Sequence, residues 1–369
     1  NPSTVYLFDP SGNDKTGARE PHACAAFTVV AAPPSQRHYK QFFKRTFVVG
    51  KRFLEVWSAE ELRAVRPIVQ TTRPELTAEE LERRLYRYGG VARAVFATHA
   101  AKWESEQESA LDSGRLDAVR HAVSHMDDKA HKSTHQLVAY DVVAGAVPPR
   151  SRVRGRFVSQ YVKDEFPARY VREKKAEAAS FLAAAQSRPE LAEISGTLFE
   201  HWAHDALRRG GKFRVRRLNG GAADGGDPGH LVLPPLHHVD VRRVQDLRLA
   251  LAAAEGDCYF HPTTRNFPAF DAVVRASTPF SAAIGLQMTV SLNHPLKAAR
   301  VEDILEQLGV TEADRFDLFF VVWPATFADF PEQQFTRVDG EERERASALL
   351  SSAVTQWVLE VPLVVDSPE

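Results

Sequence analysis

Two short apolar segments in the second half of the chain constrain its fold most. The first, Ala269 to Val274, is interrupted by a single carboxylate at Asp271. The second, Ile284 to Val290, carries Gln287 and Thr289, which lie two residues apart and therefore share one face of a strand. Short apolar runs of this kind predict buried strands. If the two strands pair, Asp271, Gln287 and Thr289 converge at one end of a sheet.

Charged and polar side chains around these strands are candidate ligands. A lone charge in an apolar run is costly unless a metal or a partner satisfies it, so Asp271 is one candidate; a hydrogen bond to a backbone turn is the alternative. Glu200 and His204 lie one helical turn apart, which suits metal binding and equally suits a solvated helix surface. Lys297 lies just beyond the second strand, next to the helical pattern Ala298 to Leu308.

Five segments carry a family resemblance through their order along the chain. They are SGTLFEHWAHDALRRGGKFRVRRL (195–218), YFHPTTRNFPAFDAVV (259–274), LQMTVSLNHPLK (286–297), FFVVWP (319–324) and WVLEVPL (357–363). In this order they resemble the PD-(D/E)xK restriction-endonuclease-like fold, and most closely its branch in Crinkler effectors and the related retrotransposon-hot-spot proteins. The resemblance implies a mixed sheet flanked by helices and a metal-dependent nuclease.

The resemblance implies roles for particular residues. The family pattern has an acid on the first core helix, here Glu200, and an acid on a strand, here Asp271. The next strand of the family carries an acid and a lysine two residues apart, where this sequence has Gln287 and Thr289. Glutamine can ligate a hard cation through its carbonyl oxygen, but the site loses one negative charge. The implied ligands of Mg²⁺ or Mn²⁺ are therefore Glu200, Asp271 and Gln287, and Lys297 replaces the missing catalytic lysine.

The distribution of charge favours DNA as the partner. From Arg150 to Arg217 there are sixteen lysine and arginine residues against eight acidic ones, whereas residues 301–369 have four basic against fifteen acidic residues. A basic segment that leads into the candidate nuclease helix suits a phosphate backbone. Two runs of alternating arginines each share one strand face, and solvation of an exposed sheet is the alternative. These arginines are Arg152, Arg154 and Arg156, and Arg214 with Arg216.

The first 110 residues have a different pattern. Residues 4–10 and 24–34 predict two apolar strands, the second of them buried. Two helices follow, and each begins with a capping pattern, SAEE at 58–61 and TAEE at 77–80. The glycines at 89 and 90 predict the end of the second helix.

This part resembles the second half of the P-loop ATPase module that precedes the nuclease in Crinkler and retrotransposon-hot-spot proteins. The resemblance implies that Asp9 ends the Walker B strand, that Arg93 lies in a lid or sensor segment, and that Arg93 and Arg37 contact the γ-phosphate in an intact protein. The chain contains no G-x-x-x-x-G-K-[ST] loop, so we do not expect it to bind ATP. Capping of a turn before Pro10 is the alternative role of Asp9.

A closed zinc site is not predicted. His294 precedes a proline at a strand exit, and His237 with His238 follows two prolines in a predicted loop. Neither place has the spacing of a closed zinc site. Cys24 and Cys258 are too few for a cysteine zinc site within one chain, and nothing in them demands an oxidising compartment.

Length and composition predict an α/β protein of two domains, because 369 residues exceed the usual size of one core. The small, proline-containing and basic stretch VAGAVPPRSRVRGR predicts the boundary. We expect residues 1–148 to form the C-terminal half of an ATPase module with a helical lid, and residues 149–369 to form the nuclease domain. No run approaches the ~20 apolar residues of a membrane span, so no membrane partner is expected.

Three functional hypotheses remain open on the sequence. In the first, a Crinkler-like effector binds DNA and cleaves its phosphodiester bonds with Mg²⁺. In the second, a catalytically degenerate nuclease fold binds DNA or host nuclear proteins without cleaving. In the third, the acidic end is a surface for a protein partner or for self-association. The resemblance implies secretion into a host cell and entry into its nucleus. Because the chain begins at Asn1 directly before a strand and shows no signal peptide, we expect a fragment whose upstream part has been removed.

Overall fold

The structure is a computed structural model that describes residues 4–9, 26–32, 42, 44, 50–124, 132–218, 229–263, 269–336 and 348–364. The chain forms two compact units. The first comprises Asn1–Arg172 and Ser187–Ile194, and the second comprises Glu173–Gln186 and Ser195–Glu369. Each unit is described below by itself.

The first unit combines two small sheets with helices. Strands β1 (Val5–Phe8) and β2 (Phe27–Val30) pair in parallel, and β3 (Val138–Val142) pairs antiparallel with β4 (Val153–Phe157). The helices are α1 (Ala59–Gln70), α2 (Ala78–Tyr88), α3 (Ala92–Val95), α4 (Ala100–Ser113), α5 (Leu116–Ser124) and α6 (Gln160–Glu173), which ends at the boundary of the unit. The boundary expected after residue 148 falls between β3 and β4. Because these strands pair, this stretch connects two elements of one unit.

Helices α1 and α2 begin where the sequence predicts, and α2 also ends where the sequence predicts. The Ser58 hydroxyl accepts a hydrogen bond from the backbone N–H of Glu61, and the Glu61 carboxylate accepts one from the backbone N–H of Ser58. The Thr77 hydroxyl accepts a hydrogen bond from the backbone N–H of Glu80. Gly89 ends α2 with φ of 60°, a left-handed value that favours glycine. The two predicted capping patterns and the glycine stop are therefore confirmed.

The second predicted strand exists as β2, but the prediction that it is buried is wrong. Phe27 is 68% exposed and Val29 is 38% exposed, and both lie beside similarly exposed residues of β1. An apolar sequence identifies a strand, whereas burial also requires another element to cover it. A two-stranded pair supplies no such cover by itself.

The second unit is built on one eight-stranded sheet. Its strands are β5 (Gly211–Arg217), β6 (Gly229–Leu233), β7 (His237–Val241), β8 (Cys258–Pro262), β9 (Ala272–Arg275), β10 (Ala283–Met288), β12 (Phe316–Val322) and β14 (Val354–Glu360). Their order is β6-β5-β14-β12-β10-β9-β8-β7. The short strands β11 (Leu296–Lys297) and β13 (Phe335–Thr336) pair with each other.

This sheet contains both parallel and antiparallel pairs, so it is mixed. Strand β10 pairs in parallel with β12, and β12 pairs in parallel with β14. Strands β8, β9 and β10 form an antiparallel meander, while β7 pairs in parallel with β8. Antiparallel pairing joins β14 to β5 and β5 to β6. The predicted pairing of the two apolar segments is confirmed in the β9–β10 pair.

The core of the second unit lies against β12. Every residue of β12 is buried, as expected for a central strand with parallel neighbours and both faces covered. Its alternate residues pack in one apolar cluster with Val301, Ile304 and Leu305 of α10 (Ala298–Leu308). The helices of this unit are α7 (Lys175–Ala185), α8 (Ala192–Arg209, whose first turn lies in the other unit), α9 (Val244–Ala253), α10, α11 (Pro324–Phe327) and α12 (Ala348–Ala353). The chain is thus a mixed α/β protein with a large mixed sheet.

Candidate functional site

Asp271 lies at one end of the sheet, immediately before β9. Its backbone N–H donates to the carbonyl of Leu286 at 2.9 Å. Its carboxylate oxygen Oδ2 accepts two hydrogen bonds of 2.6 Å, from the backbone N–H of Met288 and from the side-chain amide of Gln287. Both the backbone and the side chain of Asp271 are therefore tied to β10, which fixes the position of the carboxylate.

Strand β9 starts later than the apolar segment that predicted it. The segment begins at Ala269, but Ala269 has φ of 65°, in the left-handed region, and the strand begins only at Ala272. Asp271 consequently enters the site from a bend rather than from within a strand. Because a bend does not impose the alternating side-chain directions of a strand, the carboxylate of Asp271 can reach the neighbouring strand β10.

Gln287 and Thr289 do not act as a pair. Gln287 lies in β10, is only 8% exposed and donates its amide nitrogen to Asp271, so its carbonyl oxygen Oε1 remains as the candidate ligand atom. Thr289 lies one residue beyond the end of β10. Its hydroxyl accepts a hydrogen bond from the backbone N–H of Ser291 at 3.1 Å, and thereby closes the turn that leaves the strand. A lysine at position 289 would lose this turn contact.

Glu200 brings a second carboxylate to the same place from α8. Burial raises the pKa of Asp271 well above its usual value, and the negative charge of Glu200 raises it further, although the hydrogen bonds from Met288 and Gln287 act in the opposite direction. A mutual effect of this kind requires the two carboxylates to be close and poorly screened. The charge of Glu200 therefore acts on Asp271, which Gln287 contacts directly, and the role of these three residues as metal ligands stays a prediction.

Lys297 lines the same pocket as Asp271. The pocket has a volume of about 200 Å³, and Asp271, Gln287, His294, Lys297 and Arg300 are its polar lining residues. Lys297 is the residue that precedes α10, and α10 covers the predicted residues 298–308. Two cationic side chains therefore face the same space as the acid and the amide. Arg300, one turn into the helix, was not predicted.

A buried pair of aromatic rings lies next to the two carboxylates. The Nδ1 atom of His204 is 2.5 Å from the hydroxyl of Tyr259 on β8. Burial raises the pKa of Tyr259 well above its usual value, and the charges of Asp271 and Glu200 raise it further. Burial also lowers the pKa of His204 well below its usual value. The hydrogen bond to Tyr259 engages Nδ1 of His204, so this nitrogen positions the tyrosine hydroxyl beside the two carboxylates.

The expectation that His237 and His238 lie in a loop is wrong, because both belong to β7. In the segment HHVDV the polar residues His238 and Asp240 share one face of the strand, and Val239 and Val241 share the other face with His237, a pattern that suits an edge strand. Pairing of β7 with β8 brings His238 and Asp240 close to His261. Sequence spacing could not reveal this group, since His261 is more than twenty residues away from the other two.

The predicted DNA-binding arginines fall into two groups in different units. Arg152 and Arg154 are exposed at β4 in the first unit, whereas Arg156 beside them is 23% exposed and pairs with Asp141 at 2.6 Å. In the second unit, Arg214 pairs with Glu360 at 2.9 Å and lies over the ring of Phe327.

Arg216 has a structural role in the second unit. Its guanidinium donates to the backbone carbonyls of Phe327, Ala328 and Phe330 and so holds the end of α11. A side chain that is committed to three carbonyls is poorly placed to reach a phosphate. Among the predicted arginines, Arg152 and Arg154 are therefore the best placed to contact DNA.

The candidate nucleotide-binding residues lie in the first unit. Asp9 follows β1 and is exposed, and Arg93 is exposed on the four-residue helix α3. Among the residues that the structure describes, no hydrogen bond or ion pair joins these two side chains. Arg37 and Cys24 lie outside the described residues.

Comparison of the chain with protein-family models, with curated proteins and with solved structures gave no match. Within the described parts of the chain, no helix has the length and apolar character that crossing a bilayer requires. The site geometry therefore carries the functional argument.

Proposed function

We propose that this protein binds DNA and cleaves its phosphodiester bonds at the site formed by Glu200, Asp271 and Gln287, with Mg²⁺ or Mn²⁺ as cofactor. The observation that carries the proposal is the meeting of two carboxylates and one amide beside a pocket that Lys297 also lines. On its resemblance to Crinkler effectors, we further propose that the protein acts in the nucleus of a host cell.

The donor atoms at this site suit a hard divalent cation. The raised pKa of Asp271 means that its ionised form is poorly compensated by the protein alone. Asp271 and Glu200 would hold a cation whose charge would offset this repulsion, and the Oε1 oxygen of Gln287 would add a neutral ligand of the type that Mg²⁺ accepts. All three ligands are oxygen atoms, which favours Mg²⁺ or Mn²⁺ over softer metals.

Each residue of the site has a distinct part in the proposed reaction. When bound, the metal ion lowers the pKa of a coordinated water and neutralises charge on the scissile phosphate. Gln287 holds the Asp271 carboxylate through the 2.6 Å hydrogen bond, so the ligand oxygen is oriented before metal binding. Lys297 and Arg300 face the pocket and stabilise the negative charge that develops on the phosphate.

A second candidate function is DNA or protein binding without cleavage. The hydrogen bond from Gln287 to Asp271 favours it, because that amide satisfies one carboxylate oxygen in place of a cation. The loss of the family's acid and lysine at Gln287 and Thr289 points the same way. DNA or host nuclear proteins would then bind the basic segment from Arg150 to Arg217, and the pocket would catalyse no reaction.

The direct test is cleavage of supercoiled plasmid by the purified chain in Mg²⁺, in Mn²⁺ and in EDTA. Asp271→Asn should reduce divalent-dependent cleavage by about a hundredfold or more while DNA affinity remains almost unchanged, since the basic residues are untouched. Asp303→Asn is the matched control, because Asp303 is an exposed acid on α10 that does not line the pocket. Equal cleavage by Asp271→Asn and by the parent would refute the catalytic assignment.

Gln287→Glu separates the enzyme from the binding protein. In an enzyme, the substitution restores the missing negative charge and should tighten Mg²⁺ binding by about tenfold, measured by calorimetry. Lys297→Ala should lower cleavage without changing Mg²⁺ affinity, because the ammonium contacts the phosphate and not the metal. Absence of nicking in both the parent and Gln287→Glu would support the binding protein.

A further inference from the structure

Three side chains on neighbouring strands form a second group of metal-binding type. His238 and Asp240 lie two residues apart on edge strand β7, so they share one face, and Asp240 is paired in register with His261 of β8. The Nε2 atom of His238 is 2.9 Å from Oδ1 of Asp240, and the Nδ1 atom of His261 is 4.0 Å from the same oxygen. The candidate ligand atoms all lie within 4.8 Å of one another.

We propose that His238, Asp240 and His261 bind one divalent transition-metal ion of the Zn²⁺ type. Ligands at zinc-bond length in a tetrahedral arrangement lie roughly 3.3 Å apart, and the two observed separations from Asp240 fall on either side of that value. Small rotations of the side chains therefore bring all three atoms into the first coordination sphere. The inference is independent of the DNA-cleavage proposal, because it uses none of the residues of that site.

The donor set distinguishes this group from the Glu200–Asp271 site. Two imidazole nitrogens and one carboxylate suit Zn²⁺ and related ions, whereas Mg²⁺ prefers a shell made of oxygen atoms. Three protein ligands leave a coordination position for water, which is the pattern of an open site rather than a closed structural one. The position is accessible, since the side chain of Asp240 is 61% exposed on an edge strand.

Neighbouring side chains leave the proposed ligand atoms available. Arg208 contacts the ring of His238 at Nδ1, at 3.5 Å, which is the nitrogen that the metal does not use. The ring of His204 packs edge-on against His261 with centroids 4.6 Å apart, but its Nδ1 is held by the hydroxyl of Tyr259. His204 thus packs against His261 while Tyr259 engages its Nδ1 atom.

The alternative is a simple surface ion pair between His238 and Asp240. Such a pair needs only two residues and makes no use of His261. It predicts that His261 is irrelevant to metal affinity, whereas the proposed site predicts that all three residues matter equally. Substitution of His261 therefore decides between the two.

The test is titration of the full-length, EDTA-treated chain with Zn²⁺ by calorimetry and with Co²⁺ by visible absorption. The parent should bind one ion at this site, and binding should persist in a large excess of Mg²⁺. Asp240→Asn and His261→Gln should each weaken Zn²⁺ binding by about tenfold or more and remove the absorption of the bound Co²⁺. Circular dichroism verifies that each variant is folded.

His237→Gln is the matched control, since His237 lies on the same strand but projects to the opposite face. It should bind Zn²⁺ like the parent. The proposal is overturned if the parent does not bind Zn²⁺, if His261→Gln binds it undiminished, or if His237→Gln loses as much affinity as the two ligand variants. Plasmid cleavage is not part of this readout, so failure here leaves the cleavage proposal untouched.

Discussion

At the scale of single residues, Asp271 shows how a buried acid opposes stability. Its folded-state pKa lies above the value of an unfolded aspartate, so the folded protein binds a proton more tightly than the unfolded chain does. The raised pKa therefore stabilises the folded protein at low pH, and this stabilisation is lost as the pH rises through the folded-state pKa of Asp271. Above that pH, burial of the Asp271 carboxylate therefore lowers the stability of the metal-free protein.

We predict that Asp271→Asn raises the melting temperature of the metal-free protein at neutral pH. The neutral amide has the size of the carboxylate but does not repel Glu200. Melting curves in EDTA would measure the effect, and the difference from the parent should shrink as pH falls toward the usual aspartate pKa. Added Mg²⁺ should raise the melting temperature of the parent and not that of the variant. A lower melting temperature for Asp271→Asn at neutral pH would contradict this account.

Glu80 presents the opposite case, an acid whose charge stabilises the fold. Hydrogen bonds from Arg83 and then from Arg84 lower its pKa to about 2, although partial burial acts in the other direction. Its contribution to stability is therefore fully present above the usual glutamate pKa of 4.5, and it is lost as pH falls from 4.5 toward 2. Arg84 itself is only 8% exposed and also donates to the carbonyls of Val95 and Ala97.

Glu80→Gln should lower the free energy of unfolding by about 1–2 kcal/mol at neutral pH, a value that allows for solvent screening of a partly exposed pair. The helix cap is unaffected, because Thr77 accepts from the backbone N–H of residue 80. Urea unfolding at several pH values would measure the difference, which should disappear near pH 2. A difference that stays constant with pH would show that the contact is not electrostatic.

At the scale of elements, the end of α2 depends on one backbone conformation. Gly89 has φ of 60°, and a Cβ atom there would lie 2.1 Å from the carbonyl oxygen of Val158. No flexible side chain can give way, since the obstructing atom belongs to the backbone. The helix therefore stops where the chain passes closely against the segment after β4.

Gly89→Ala should destabilise the protein by more than about 2 kcal/mol, because both the left-handed backbone and the steric contact oppose a side chain. Gly145→Ala is the control: Gly145 also has positive φ, but its Cβ position is open. Gly145→Ala should lower the free energy of unfolding by about 1 kcal/mol, which is the effect of the positive φ alone. Equal losses measured by chemical unfolding would show that the close approach to Val158 contributes nothing.

Elements whose sequence patterns involve only a few neighbouring residues were predicted well. The caps of α1 and α2 follow from four-residue patterns, and α10 covers the predicted residues 298–308. The burial of a strand and the residues at which it ends depend on the elements that pack against it. The sequence therefore did not predict that β2 is exposed or that β10 ends before Thr289. The role of Arg216 was also hidden from the sequence, because its carbonyl partners lie more than 100 residues away.

At the scale of the whole molecule, the arrangement of strands decides which residues meet. The order β10-β9-β8-β7 could not be derived from the sequence, and it alone places His261 beside Asp240. The meeting of Asp271 and Gln287 was easier to predict, because these residues belong to two consecutive apolar segments whose strands, β9 and β10, form an antiparallel pair. Sequence patterns therefore do not predict the contacts that depend on pairing between residues distant in the sequence.

The charge distribution of the whole chain leads to the last prediction. If DNA is the partner, affinity should fall with salt, with a log-log slope of about −0.9 for each duplex phosphate neutralised. The double variant Arg152→Ala with Arg154→Ala should make this slope shallower by up to about 2, since both side chains are exposed.

Arg216→Ala is the structural comparison for this prediction. It should lower the stability of the protein and leave the salt slope unchanged, because its guanidinium is committed to the carbonyls of Phe327, Ala328 and Phe330. Fluorescence anisotropy with a duplex oligonucleotide between ~50 and ~200 mM salt spans the range over which such slopes are resolved. Because phosphate contacts release counterions whatever the base sequence, the slope should be the same for unrelated duplexes. An affinity that does not change with salt would exclude the phosphate backbone as the ligand of the basic segment.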